Sequence, residues 1–293
     1  MSSPLTDPIG TSHRSAGEAP PTRAELDARF NVHARWFTHQ DPQDETLWAR
    51  LHDMPETSFT HLVRSIHAEV VSAASEIAED AGLAPRRRSL PSHESDRIVA
   101  LGDSITADRG SWLEILSCVS ELCGMRSQWL NAGVSGDSST HARARFDRAV
   151  TAHQPRWVLI ALGTNDAKRS TRLPGRRLVP ESETEANVEE IVGLVRAVAA
   201  EPVLLTPPPV DPELMKKWNF DDALRWEPED IEASASAIRR VAARCAVPLV
   251  DVLRGFPEPD GRWHLPDGLH PNQRGQAQIA RTVISAVPWG SGS

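Results

Sequence analysis

Four short polar stretches of this chain carry side chains that together could open an ester. Ser104 follows an apolar run in IVALGDSITADRG, residues 98–110, and a serine hydroxyl becomes nucleophilic only when a base takes its proton during attack. His270, in DGLH at 267–270, supplies that base, because imidazole is matched to the transfer near neutral pH. Asp267, three residues earlier in a tight turn, can reach the far ring nitrogen, fix its tautomer and stabilise the imidazolium that forms. The carbonyl oxygen that turns negative needs donors already pointing at it. The Ser104 and Gly133 N–H groups and the Asn165 side-chain amide are the candidates.

Beyond residue 94, short apolar runs alternate with helical patterns, which predicts a parallel sheet covered by helices on both faces. Five strands are predicted over 97–101, 128–131, 156–162, 202–206 and 248–252, with helices near 111–123, 138–152, 184–200 and 229–245. A last helix starts after Pro271, with Asn272 as its N-cap and Ile279, Val283 and Ile284 facing inward. Parallel strands deliver their following loops to one edge of the sheet. Ser104 follows the first strand, Asn131–Gly136 the second and Gly163–Asp166 the third, while Asp267–Pro271 comes after the fifth, past a loop. The four stretches therefore converge although they lie far apart in sequence.

GDSI (102–105), NAG (131–133), GTND (163–166) and DGLH (267–270), in this order, resemble the blocks of the SGNH/GDSL hydrolases, and the resemblance covers about residues 95–287. It implies a flavodoxin-like three-layer α/β/α fold with a five-stranded parallel sheet. It also implies esterase, lipase, thioesterase or carbohydrate-deacetylase chemistry on a small acyl ester, without a metal or other cofactor. By position, the resemblance makes Ser104 the nucleophile, Gly133 and Asn165 oxyanion donors, and Asp267 and His270 the rest of the triad.

Around this set, Asp103 and Asp166 read as supporting carboxylates and Asn131 as a brace for the Gly133 loop. Ser138, in a second Gly-Asp-Ser at 136–138, reads as a helix cap. Lys168, Arg169, Arg172, Arg176 and Arg177 are either a solvated loop or cations that hold an acidic group of the substrate, with Arg172, Arg176 and Arg177 as the binding candidates. The long connection after the fourth strand carries Met215, Trp218, Phe220 and Trp226. Trp218 and Phe220 are expected either to wall the acyl pocket or to anchor their loop.

Residues 1–22 read as a disordered tail, rich in Ser, Pro, Thr and Gly. Residues 23–94 form a helical region and linker, in which Phe59, Leu62, Val63, Ile66, Val70, Ala74 and Ile77 line one helix face. That face must be buried, either on the core or in a homodimer through these helices. Pro85–Pro91 reads as an exposed connector, and the hydrolase-like region runs over 95–288.

Composition narrows the alternatives. The 293 residues carry 32 Lys and Arg against 40 Asp and Glu, a formal charge of −8, which argues against nucleic acid as the partner. Three cysteines without a CxxC pair, no secretory signal and no membrane-length apolar run fit a cytoplasmic protein. The rival readings are an acyltransferase with the same triad, a metal-dependent phosphoesterase and a non-catalytic binding module. The phosphoesterase lacks clustered ligands, and no G-x-S-x-G, P-loop or G-x-G-x-x-G is present.

Overall fold

A computed structural model describes residues 21–35, 44–172, 176–217, 223–256 and 262–289. The apolar runs become a five-stranded parallel sheet of β1 (Arg97–Gly102), β2 (Gln128–Gly133), β3 (Trp157–Ala161), β5 (Glu201–Leu205) and β7 (Leu249–Val250). The spatial order is β2-β1-β3-β5-β7, the flavodoxin-like order, with all four neighbouring pairs parallel. A two-residue antiparallel ladder, β4 (Arg169–Ser170) with β6 (Leu224–Arg225), ties the loop after β3 to the connection after β5.

Two apolar layers sandwich the sheet. On one face, Ile98, Ala100, Leu159 and Val203 meet α6 (Trp112–Leu122) and α13 (Gln273–Ala286). On the other, Val99, Leu101, Val158 and Ile160 meet α9 (Glu181–Ala197) and α11 (Pro228–Cys245). Burial of both faces explains why the central strands read as continuous apolar runs rather than alternating ones. Asn272 caps α13 as expected, its side chain accepting from Gly275 N at 3.1 Å, and Ile279, Val283 and Ile284 are buried.

The expected elements differ from the observed ones where local chemistry intervenes. The helix expected over 138–152 is broken into α7 (Ser139–Ala144), α8 (Phe146–Ala149) and a 3-10 turn. The last strand is short because Asp251 caps α12 (Val252–Gly255) immediately after it. Strand β2 runs two residues past its expected end, pairing Gly133 with Gly102, so Gly133 belongs to the strand and not to the loop beyond it.

Ahead of the sheet lie α1 (Arg23–Arg29), α2 (Glu45–Leu51), α3 (Glu56–Glu79) and α4 (Ala84–Arg87). Val70, Ala73, Ala74 and Ile77 of α3 enter the same core cluster as Trp112 of α6 and Val283 of α13, so the chain itself covers the apolar face of α3. Pro85–Pro91 is exposed at Pro85, Arg86, Arg88 and Ser89, but it is not irregular throughout. Pro85 lies in α4, Leu90 is buried, and Arg87 donates to the carbonyls of Ile77 and Asp80, closing the end of α3. Residues 1–20 of the expected tail lie outside the described residues, whereas Thr22 caps α1 in a reciprocal box with Glu25. No helix among the described residues is long and apolar enough to cross a membrane.

Candidate active site

Strand β1 ends at Gly102, and α5 (Ser104–Ala107) begins two residues later, so Ser104 stands at the first position of a short helix. Asp103 caps this helix through Ile105 N at 3.0 Å. Gly102 is required at the exit because a Cβ there would come within 2.2 Å of Thr106 Oγ1. The Ser104 hydroxyl lies 2.9 Å from His270 Nε2, across 166 residues of chain. His270 Nδ1 lies 2.6 Å from Asp267 Oδ2, while Asp267 Oδ1 accepts the Leu269 and His270 N–H groups, each at 3.0 Å. Ser104, Asp267 and His270 are all buried.

Both oxygens of Asp267 are thus occupied by donors from its own turn. Burial pushes its carboxyl up, but His270 and the backbone donors outweigh that and hold it below the usual carboxylate range. The turn is itself braced: Leu265 N donates to His270 O at 2.8 Å, Gly268 N to Leu265 O at 3.0 Å, and Asp211 N to Gly268 O at 2.7 Å. Gly268 has φ +67°, and a Cβ there would meet Asp211 O at 2.4 Å, so this position admits only glycine.

The Asn165 side chain is buried, and its Nδ2 has no partner among the described residues. An amide donor left unbonded in the interior costs stability, which suits a group held ready for something that binds later. Residues 100–278 match the GDSL-like Lipase/Acylhydrolase family, more than half of the chain. The chain belongs to that family.

Curated relatives of this GDSL-like hydrolase include "Thioesterase 1/protease 1/lysophospholipase L1" of Escherichia coli strain K12, 28% identical over 191 residues, 64% of this chain and 80% of that protein. An arylesterase of Vibrio mimicus is 25% identical over 204 residues, 68% of this chain and 92% of its own length. A solved acetyl xylan esterase from Geobacillus stearothermophilus shares the fold with a TM-score of 0.57 at 19% identity, covering 68% of this chain and 98% of that one.

Not every expected residue of the GDSL-like site stands where the sequence suggested. Gly133 N donates to Asn131 Oδ1 at 3.0 Å, and a Cβ on Gly133 would come within 2.4 Å of Ala107 N. The glycine therefore lets β2 lie against the backbone of α5, and its N–H is already engaged, which corrects its reading as an oxyanion donor. Asn131 braces the same contact through Thr106 O at 2.7 Å and Glu114 Oε1 at 3.0 Å. Three residues on, Gly136 has φ +82° in a turn that Asp137 N closes onto Val134 O at 3.1 Å. Arg145 pins this turn, donating to Asp137 Oδ2 at 2.6 Å, to Ala132 O at 2.8 Å and to Gly102 O at 3.1 Å. Nothing in local spacing marks Arg145 for this task. The Gly at 136, in the second Gly-Asp-Ser, was the available sign of the turn.

Asp103 and Asp166 are both buried. Burial lifts Asp103 to about 6, against the Ile105 N–H, the positive field of His270 and the Thr164 hydroxyl. Asp166 is likewise raised by burial, and it accepts from Ser139 N at 2.9 Å and from the Ser139 and Thr184 hydroxyls. Ser138 starts α7, its hydroxyl 3.1 Å from His141 Nδ1 within the same turn, which is the capping place expected for it.

Of the cations after Asn165, Arg169 forms a two-point pair with Asp230 at 2.5 and 2.8 Å. Arg177 donates to Ser234 Oγ at 2.7 Å and to Asp166 O at 3.4 Å, so its guanidinium fastens the loop. Arg172 and Arg176 are exposed. Trp226 anchors the long connection by donating to Thr164 O at 3.0 Å, and Met215 packs with the same satellite cluster. Trp218 and Phe220 lie outside the described residues. No group of three or more His, Cys, Asp or Glu able to hold a metal occurs among the described residues.

Proposed function

We propose that this GDSL-like hydrolase is a serine esterase that forms an acyl-enzyme on Ser104. The observation that carries the reading is the continuous contact from Ser104 Oγ through His270 to Asp267; the buried Asn165 amide, without a partner among the described residues, adds a candidate donor from the loop after β3. Ser104 Oγ attacks the carbonyl carbon while its proton passes to His270 Nε2. The oxygen that becomes negative is received by Asn165 Nδ2 and the Ser104 N–H at the start of α5, with Gly136 of the pinned turn as the further backbone donor in place of Gly133. His270 then gives its proton to the departing alcohol or thiol. Water, deprotonated by the same imidazole, releases the acid and restores Ser104.

The substrate class is a small carboxylic ester, thioester or O-acetyl group, which spans what the names of the thioesterase, arylesterase and acetylxylan esterase relatives say of those proteins. Asp103, Asp166 and Asn131 hold the backbone that carries these groups and take no proton in the cycle. The exposed Arg172 and Arg176 remain the cations able to meet an acidic substrate group.

A fluorophosphonate probe tests this directly. It is expected to label wild-type protein on Ser104, and Ser104→Ala is expected to lose both label and ester turnover. Label on Ser138, or an active Ser104→Ala protein, would overturn the assignment.

A further inference from the structure

The segment that follows α1 lies against the catalytic histidine. The Phe30 ring stacks on the imidazole of His270, with centroids 4.0 Å apart and planes inclined by 27°, and Phe30 is only 2% exposed. Phe30 lies outside residues 100–278, the part of the chain that matches the family.

Several bonds keep it there. Ser135 Oγ donates to Phe30 O, so the residue is attached to the turn that also carries Gly136. One residue earlier, Arg29 Nε donates to Asp108 Oδ2 at 3.0 Å, a pair in which Asp108 is fully buried and also accepts Gly110 N at 2.8 Å. Arg109 returns the contact, its N–H donating to Arg29 O and its Nε to Ala28 O, each at 3.0 Å. An aromatic ring held from both flanks in this way is a fixed surface rather than a passing contact.

The position of the ring relative to the reaction follows from the chemistry. Asp267 takes Nδ1 of His270, so Nε2 alone can exchange protons with Ser104 and then with the leaving oxygen. The alcohol half of the ester must therefore sit against His270, whereas the acyl half extends from the carbonyl carbon away from it. A ring packed on the face of that imidazole borders the alcohol half.

We propose that Phe30 is the alcohol-side wall of the site and the residue that sets how large a leaving alcohol the enzyme accepts. This rests on the assignment of Ser104 and His270 made above.

Phenyl acetate and 2-naphthyl acetate present leaving groups of similar acidity and different size, so comparing their kcat/KM isolates the wall. In the full chain, Phe30→Ala is expected to raise the naphthyl-to-phenyl ratio at least fivefold over wild type. Phe30→Leu, which keeps most of the packing volume, is expected to move it the same way by less. The ratio for p-nitrophenyl acetate against p-nitrophenyl octanoate, which varies the acyl half alone, is expected to stay within twofold. A naphthyl-to-phenyl ratio within twofold of wild type in both variants overturns the proposal, as does an acyl ratio that moves equally. If Ser104→Ala is inactive and the alcohol ratio is flat, the wall alone is wrong. If Ser104→Ala hydrolyses both acetates at the wild-type rate, the nucleophile assignment falls and takes the wall with it.

Discussion

The Asp267 carboxylate holds His270 twice, one oxygen on the ring at Nδ1 and the other on the backbone N–H of the same residue. Ring and main chain are thereby locked to one carboxylate, so the tautomer with Nε2 free to accept from Ser104 is built into the turn. Asp267→Asn keeps the shape of the turn but can present an amide N–H to Nδ1, which favours the wrong tautomer. We expect kcat to fall by about 10³–10⁴-fold with KM little changed, measured by steady-state hydrolysis of phenyl acetate. A loss below tenfold would show that the second contact orients the ring without Asp267 serving the chemistry.

Asn165 separates activity from stability. Its buried Nδ2 has no partner among the described residues, so on the proposed mechanism Asn165→Ala removes an unsatisfied donor together with a receiver of negative charge. The variant is expected to lose about 10²–10³ in kcat while its melting temperature stays level or rises. Parallel loss of both would make the amide a structural group.

Asp103 predicts a specific dependence of stability on pH. Its folded value, near 6, lies above that of an unfolded chain. The stability tied to its proton is therefore complete below about pH 4 and is lost as pH rises through about 6. Relative to Asp103→Asn, the wild-type protein should lose roughly 3 kcal/mol between pH 4 and pH 7, a figure that follows from a shift of about two pH units. Urea titrations of both proteins across that range read it, and a pH-independent difference would contradict it.

Arg176 and Arg177 are neighbours in sequence with opposite expectations. Arg177 fastens Asp166 O and Ser234, so Arg177→Ala should destabilise the fold by about 1–2 kcal/mol, whereas exposed Arg176→Ala should stay within about 0.5 kcal/mol of wild type. Chemical denaturation distinguishes them. Any preference for acidic esters should respond to Arg172 and Arg176 and not to a loss of folding.

The sheet was legible because each central strand is buried on both faces and reads as an apolar run, and because parallel strands send their loops to one edge. That Ser104, Asp267 and His270 meet could be read for the same reason, each lying in a short polar stretch beside a strand or turn. Gly133 misled because a glycine that admits a neighbouring backbone and a glycine in a donor-bearing turn look alike in sequence. Only the pairing of β2 with β1 and the contact with Ala107 separate Gly133 from Gly136. The hold of Arg177 on Ser234 was not legible, because a run of cations gives no sign of which one has a partner 57 residues away. Phe30 left no signal at all: its partner is His270, and no periodicity connects them.

The stacking of Phe30 on His270 also bears on how the protein is made. A chain synthesised from its N-terminus releases Phe30 long before His270, and contacts of such long sequence separation form late because the intervening loop must first close. The stacking of Phe30 on His270 is therefore one of the last contacts the folding chain can close.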